Sequence, residues 1–136
     1  ELFPSSGRKE HAGTVMKITE LRPMMWTEDL AATIDFYKNI LGFSEGEVNL
    51  EWGWATLWID DVAVMFAKPN EYVPYEKIGF TGTFYFTTDD VDAMWEKVKD
   101  RAKVCYGIEE FEWGMREFAI YDNNGYMLQF GQEVNA

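Results

Sequence analysis

A chain of 136 residues, 47% of them apolar and 17% aromatic, is long enough to build one domain around a single buried core. Twelve basic against twenty-four acidic residues give a formal net charge of −12, a field that repels nucleic-acid phosphate and attracts cationic partners. No apolar run reaches the roughly 18 residues of a membrane span, so nucleic acid and membrane are excluded as partners and a cytoplasmic protein is expected.

Residues 1–15 (ELFPSSGRKEHAGTV) have neither the apolar stretch nor the small-residue cleavage pattern of a secretory signal. They read as a flexible leader or appended tail, with Met16 opening a single domain over 16–136. The sole histidine, His11, lies in that leader. The domain therefore has no imidazole to serve as base or metal ligand.

A strand-like run ends at Trp26 and a helix follows. Thr27 can cap it, Glu28 and Asp29 suit the positive end of its dipole, and Leu30, Ile34, Tyr37 and Leu41 share one face. Gly42 stops it. WATLWI and VAVMFA, joined by Asp60-Asp61, read as a hairpin. Pro69 to Pro74 is expected to be a linker, with the crossing into a second half between Gly79 and Gly82. There FTTDDVDAMWEK (86–97) repeats the pattern of WTEDLAATIDFY (26–37), Asp90-Val91 matching Asp29-Leu30. Thr88 or Asp89 can cap the second helix, Val91, Met94, Trp95 and Val98 form its apolar stripe, and it is expected to end near Ala102. Cys105 stands alone, so no internal disulfide can form, and it reads as a small core residue. A second hairpin, EFAIYD and YMLQFG, turns on Asn123-Asn124-Gly125, where Asn-Gly supplies positive φ. Each half is thus β-α-β-β-β, and the fold class is α+β.

The segments DLAATIDFYKNILGF (29–43), DDVDAMWEKV (89–98) and WGMREFAIYDNNGYMLQFGQ (113–132) resemble the vicinal oxygen chelate superfamily, which holds glyoxalase I, extradiol dioxygenases, fosfomycin resistance proteins and bleomycin resistance proteins. The last segment is most similar to the bleomycin resistance branch, although Asn123 stands where that family has a proline. The resemblance implies two tandem units forming a curved, barrel-like mixed sheet around a cleft, helices outside, and a dimer. It also implies where enzymes of the superfamily carry metal ligands, on the first and last strand of each half. By spacing from Asp29 and Asp90 the first-strand positions are Arg22 and Thr83, and those on the closing strands are Met65 and Gln129. Arginine stays protonated, methionine is soft and neutral, and Thr and Gln are weak oxygen donors. No metal, no other cofactor and no catalytic residue is expected.

Strand alternation from those four positions gives the side chains that share the cleft face. They are Met24, Trp26, Trp54, Thr56 and Trp58 in the first half, and Tyr85, Glu117, Ala119, Tyr121 and Met127 in the second, with Ala63 and Ala67 beside Met65. Leu21, Pro23, Met25, Leu57, Ile59, Val62, Val64 and Phe66 are left for the core. Trp52, Trp113 and the acids Glu109, Glu110 and Glu112 are expected at the rim, and Met115 and Arg116 at a subunit contact. The expected ligand-binding set is Arg22, Met24, Trp26, Trp54, Trp58, Met65, Thr83, Tyr85, Trp113, Glu117, Tyr121 and Gln129. Aromatic walls with few polar groups suit a planar organic molecule, and the acidic charge suits a cation. The resemblance implies an antibiotic of the bleomycin class, sequestered by a homodimer without chemical change. Two other readings stay open: a metal-free enzyme using Glu117 as base, and an interaction module whose aromatics are dimer core. No Gly-x-Ser-x-Gly elbow, Walker loop or Gly-x-Gly-x-x-Gly accompanies them.

Overall fold

The computed structural model describes residues 16–70 and 77–134. The leader expected over 1–15 lies outside them, as does the expected linker from residue 71 to residue 74. A repeated Thr-x-Asp starts the helix of each half. Asp29 Oδ1 accepts from the Ala32 amide at 2.9 Å and Asp90 Oδ1 from the Ala93 amide at 3.1 Å. The threonine two residues earlier accepts the aspartate's own amide, Thr27 and Thr88 each at 3.2 Å. The caps are therefore Asp29 and Asp90, rather than Thr27 and either Thr88 or Asp89. The threonine orients the turn, and the aspartate, one position before the first helical residue, reaches the orphan amide of the first turn.

Helix α1 (Leu30–Asp35) runs on into a π-helical segment, Phe36–Leu41, that ends at Gly42 with φ 89°. The expected face of Leu30, Ile34, Tyr37 and Leu41 is buried, and the wider turns bury Phe36 beside Tyr37 as well. Helix α2 (Val91–Val98) stops short of Ala102, since the Arg101 and Ala102 amides fold back on the Val98 carbonyl at 2.9 and 3.0 Å.

The strands of the first half are β1 (Met24–Trp26), β2 (Ser44–Asn49), β3 (Trp54–Ile59) and β4 (Val62–Ala67), in the order β1-β4-β3-β2. Those of the second are β5 (Phe84–Thr87), β6 (Lys103–Glu110), β7 (Met115–Tyr121) and β8 (Met127–Glu133), in the order β5-β8-β7-β6. In each sheet the first strand lies parallel to the last, and the other pairs are antiparallel. The β-α-β-β-β unit thus occurs twice with one topology. Among the described residues the strands form two four-stranded sheets rather than one continuous mixed sheet.

The core lies on the helix side of both sheets. Tyr37, Leu57, Val64 and Phe66 fill it from the first half, and Val91, Phe118, Ile120, Leu128 and Phe130 from the second. Ring contacts join the halves: Phe43 to Phe86 at 6.1 Å and Phe66 to Tyr126 at 6.5 Å between centroids. A polar lock crosses the same seam. The Tyr37 hydroxyl donates to Asp122 Oδ2 at 2.7 Å, while Asp122 Oδ1 accepts the amides of Asn124 and Tyr126. The Tyr126 hydroxyl in turn donates to the Trp26 carbonyl at 2.8 Å.

Several side chains depart from the expected placement. Met115 is buried within the chain, on the same face of β7 as Glu117, so it is not available at a surface contact; Arg116, on the helix side, pairs with Asp92 on α2 at 2.7 Å. Val62 and Leu21 are exposed rather than in the core, the one flanking the Asp60-Asp61 turn and the other preceding β1. Cys105 is half-buried and accepts from the Tyr121 hydroxyl at 3.3 Å, away from the core. Among the described residues no helix is long and apolar enough to cross a membrane.

Candidate functional site

The sheet faces turned away from the helices carry two groups of side chains. In the first sheet the ladder aligns Met24, Met65 and Thr56 in one row and Trp26, Ala67 and Trp54 in the next, with Trp58 opposite Ala63. Arg22 precedes β1, and its guanidinium lies 4.8 Å from the Trp58 ring centroid. Glu20 holds it there, accepting from Arg22 Nε at 2.8 Å. A Cβ on Gly46 would come within 2.8 Å of Trp58 Nε1, so the indole lies close against the backbone of β2. The result is a half-buried tryptophan under a cation, opposite Ala63, with Trp54 and Trp26 two rows further along the same face.

The second sheet gathers a carboxylate and two phenols. Its register aligns Tyr85, Gln129, Ala119 and Tyr106 in one row, and Thr87, Gly131, Glu117 and Glu109 in the next. Glu117 is only 4% exposed. Its Oε2 accepts from the Tyr85 hydroxyl at 2.5 Å and its Oε1 from the Tyr106 hydroxyl at 3.1 Å. Gln129 Nε2 donates to the Tyr106 hydroxyl at 2.7 Å, so the donors run in one direction toward the carboxylate. Burial, then the bond to Glu117, pushes the Tyr85 phenol well above its usual pKa; burial also raises that of Tyr106, although the Gln129 contact works the other way. Both phenols stay protonated donors near neutrality. Among the described ion pairs none involves Glu117.

Beside this carboxylate is a cavity of about 450 Å³, walled by Tyr106, Phe111 and Trp113 and floored by Glu117 and Gln129. Phe111 meets Tyr106 edge-on at 5.7 Å and stacks on Trp113 at 4.6 Å with planes 8° apart. Gly131 makes room for the cluster, since a Cβ there would lie 1.9 Å from the Tyr85 hydroxyl oxygen, inside any real contact. Gly131→Ala is expected to push the Tyr85 ring off Glu117. Ligand affinity should fall at least about tenfold while circular dichroism stays that of the parent; unchanged affinity would show that Tyr85 does not shape the site.

The fold therefore sorts the expected residues. Arg22 joins Trp58; Met24 and Met65 form one row, Trp26 and Trp54 another; Tyr85, Glu117 and Gln129 come together, with Trp113 at the cavity wall. Thr83 lies outside the cluster, its hydroxyl donating to the Met127 carbonyl at 3.1 Å. Tyr121 is at the far end of β7, with Lys103 5.4 Å from its ring centroid and Cys105 on its hydroxyl. Trp52 is 77% exposed on the β2–β3 loop. Tyr106 and Phe111 were not expected in the site. Tyr106 was legible in principle, as it pairs with Ala119, a residue alternation puts on this face; the bulges of β6 hide that pairing from the sequence.

A divalent metal does not fit the four first-strand and last-strand positions. Arg22 is cationic and committed to Trp58 and Glu20, Met65 is a neutral thioether, the Thr83 hydroxyl serves Met127, and the Gln129 amide serves Tyr106. Among the described residues no three His, Cys, Asp or Glu side chains converge as a metal-holding group.

Residues 18–130 match the family model described as the Glyoxalase/Bleomycin resistance protein/Dioxygenase superfamily. Comparison with curated proteins gives no match. The fold is similar to a glyoxalase/bleomycin resistance protein/dioxygenase from Nocardioides, with TM-score 0.73 and 18% identity over 91% of this chain and 89% of that one. It is also similar to TioX from Micromonospora sp. ML1, with TM-score 0.68 and 17% identity over 85% of this chain and 98% of that one. A third similar structure is the fosfomycin resistance protein FosX from Listeria monocytogenes, with TM-score 0.66 and 16% identity over 86% of this chain and 94% of that one.

Proposed function

The chain belongs to the glyoxalase/bleomycin resistance protein/dioxygenase superfamily, and we propose that within it this protein is a metal-independent binder that sequesters a cationic, partly aromatic antibiotic of the bleomycin class in the cytoplasm, without chemical change to it. One observation carries the reading. The side chains at the four ligand positions of the superfamily are a cation, a thioether, a hydroxyl and an amide, three of them engaged inside the chain. The faces around them offer indoles and phenols instead. Flat rings bind by stacking and apolar contact, and a net charge of −12 speeds encounter with a cation.

The protein acts as a homodimer. Met24, on the first sheet's face away from the helices, is about half exposed, and such a face is covered in a stable assembly by a second copy or a ligand. Sedimentation at micromolar concentration should give twice the mass of the chain; a monomer that still binds drug would remove the dimer from the account. Binding itself is tested by tryptophan fluorescence titration with a bleomycin-type drug against neutral aromatics. Saturable quenching by the drug, weakened by salt mainly through a slower on-rate, is the expected result. Absence of quenching at any concentration would remove the drug class.

A further inference from the structure

Glu117 lines the second-sheet cavity, and among the described ion pairs no cation faces it. A carboxylate taken out of water is costly unless hydrogen-bonded and paired. Here the hydrogen bonds are in place, one phenol on each oxygen, but the described ion pairs leave Glu117 without a countercharge. The nearest acid across the ladder, Glu109, adds a second negative group to the cavity wall. The rest of the lining is the rings of Tyr106, Phe111 and Trp113, with Gly107, Ile108 and Gln129. Rings attract a cation through their faces and accept no ordinary hydrogen bonds.

We propose that this cavity is a receptor for a methylated ammonium group, tertiary or quaternary, whose charge is matched by Glu117 and whose methyls lie against Tyr106, Phe111 and Trp113. A primary ammonium has three N–H donors to satisfy; the carboxylates lie on one side of the cavity and the ring walls satisfy none. Exchanging N–H for methyl removes that demand and adds contact with the rings. With about 450 Å³ the cavity takes one such head group and a short stem. The inference rests on the reading of the protein as a binder of cations and names the group that the second-half sheet would receive.

Calorimetric titration of the full chain with choline, its uncharged isostere 3,3-dimethylbutan-1-ol, and ethanolamine tests it. Choline should bind at least about tenfold more tightly than either. Glu117→Gln keeps the side-chain shape and should abolish the advantage over the uncharged isostere. Trp113→Leu, at a side chain 52% exposed and outside the core, should weaken choline several-fold with the fold intact, so the proposal remains testable if the Glu117 variant does not fold. Equal binding of choline and 3,3-dimethylbutan-1-ol overturns the proposal, as does Trp113→Leu binding choline like the parent. Choline binding that depends on Trp113, in a protein that ignores bleomycin-type drugs, supports the receptor and removes the drug reading. Drug binding without ammonium selectivity does the reverse.

Discussion

Replacing Asp122 by alanine is expected to cost the fold about 3 kcal/mol, because it leaves the Tyr37 hydroxyl and the backbone amides of Asn124 and Tyr126 without an acceptor in a buried seam. Each orphaned donor carries its own desolvation penalty, and the three share one residue. Tyr37→Phe removes a single bond and should cost about 1 kcal/mol. Urea unfolding of the three proteins checks the order: parent, then Tyr37→Phe, then Asp122→Ala. A loss for Asp122→Ala no larger than for Tyr37→Phe would mean the backbone amides find water instead. Acid titration adds a signature. Burial raises the Asp122 carboxyl above its ordinary value near 3.8, against its hydrogen bonds. The native state then holds that proton to higher pH than the unfolded chain does. Asp122's contribution to stability is therefore full below about pH 3.8 and declines as pH rises through the raised native value. Asp122→Asn should flatten this slope.

Trp58→Ala is expected to weaken drug binding by about 1–3 kcal/mol, the cost of removing a central aromatic anchor. The indole is half-buried, lies close against β2 at Gly46 and carries Arg22 on its face, so the change also frees the guanidinium. Unfolding measured beside binding separates the two roles. A core tryptophan would cost about 3–5 kcal/mol of stability, whereas Trp58, on the face away from the helices, should cost much less. If the variant binds like the parent, the first-sheet aromatics belong to an interface between chains and the ligand sits elsewhere.

The repeated helices, both hairpins and the β-α-β-β-β order were legible because each is written locally: an apolar period, an Asn-Gly or Asp-Asp turn, a glycine after Leu41. The core side of β1, β3 and β4 was legible too, since Met25, Leu57, Val64 and Phe66 alternate with the cleft residues. The caps were missed by one or two positions because Thr and Asp both cap well, and only the backbone decides which is where. The π-helical turns left no trace, as Leu30, Ile34, Tyr37 and Leu41 fit an ordinary α-helix. In the site, Gln129 came from the ligand positions that the resemblance implies, and Tyr85 and Glu117 from strand alternation. Tyr106 was lost in the bulged strand β6, and Phe111 in the loop that follows it. Tyr121 shares the face but not the cluster, because alternation fixes a side and says nothing of position along the strand.

The central claim is binding without metal and without reaction. Protein dialysed exhaustively against a chelator and incubated with a stoichiometric bleomycin-type drug should bind it saturably, and mass spectrometry of the released drug should return the parent mass in full. A drug mass altered on incubation, or binding that appears only when zinc, nickel, manganese or iron is restored, would contradict the account.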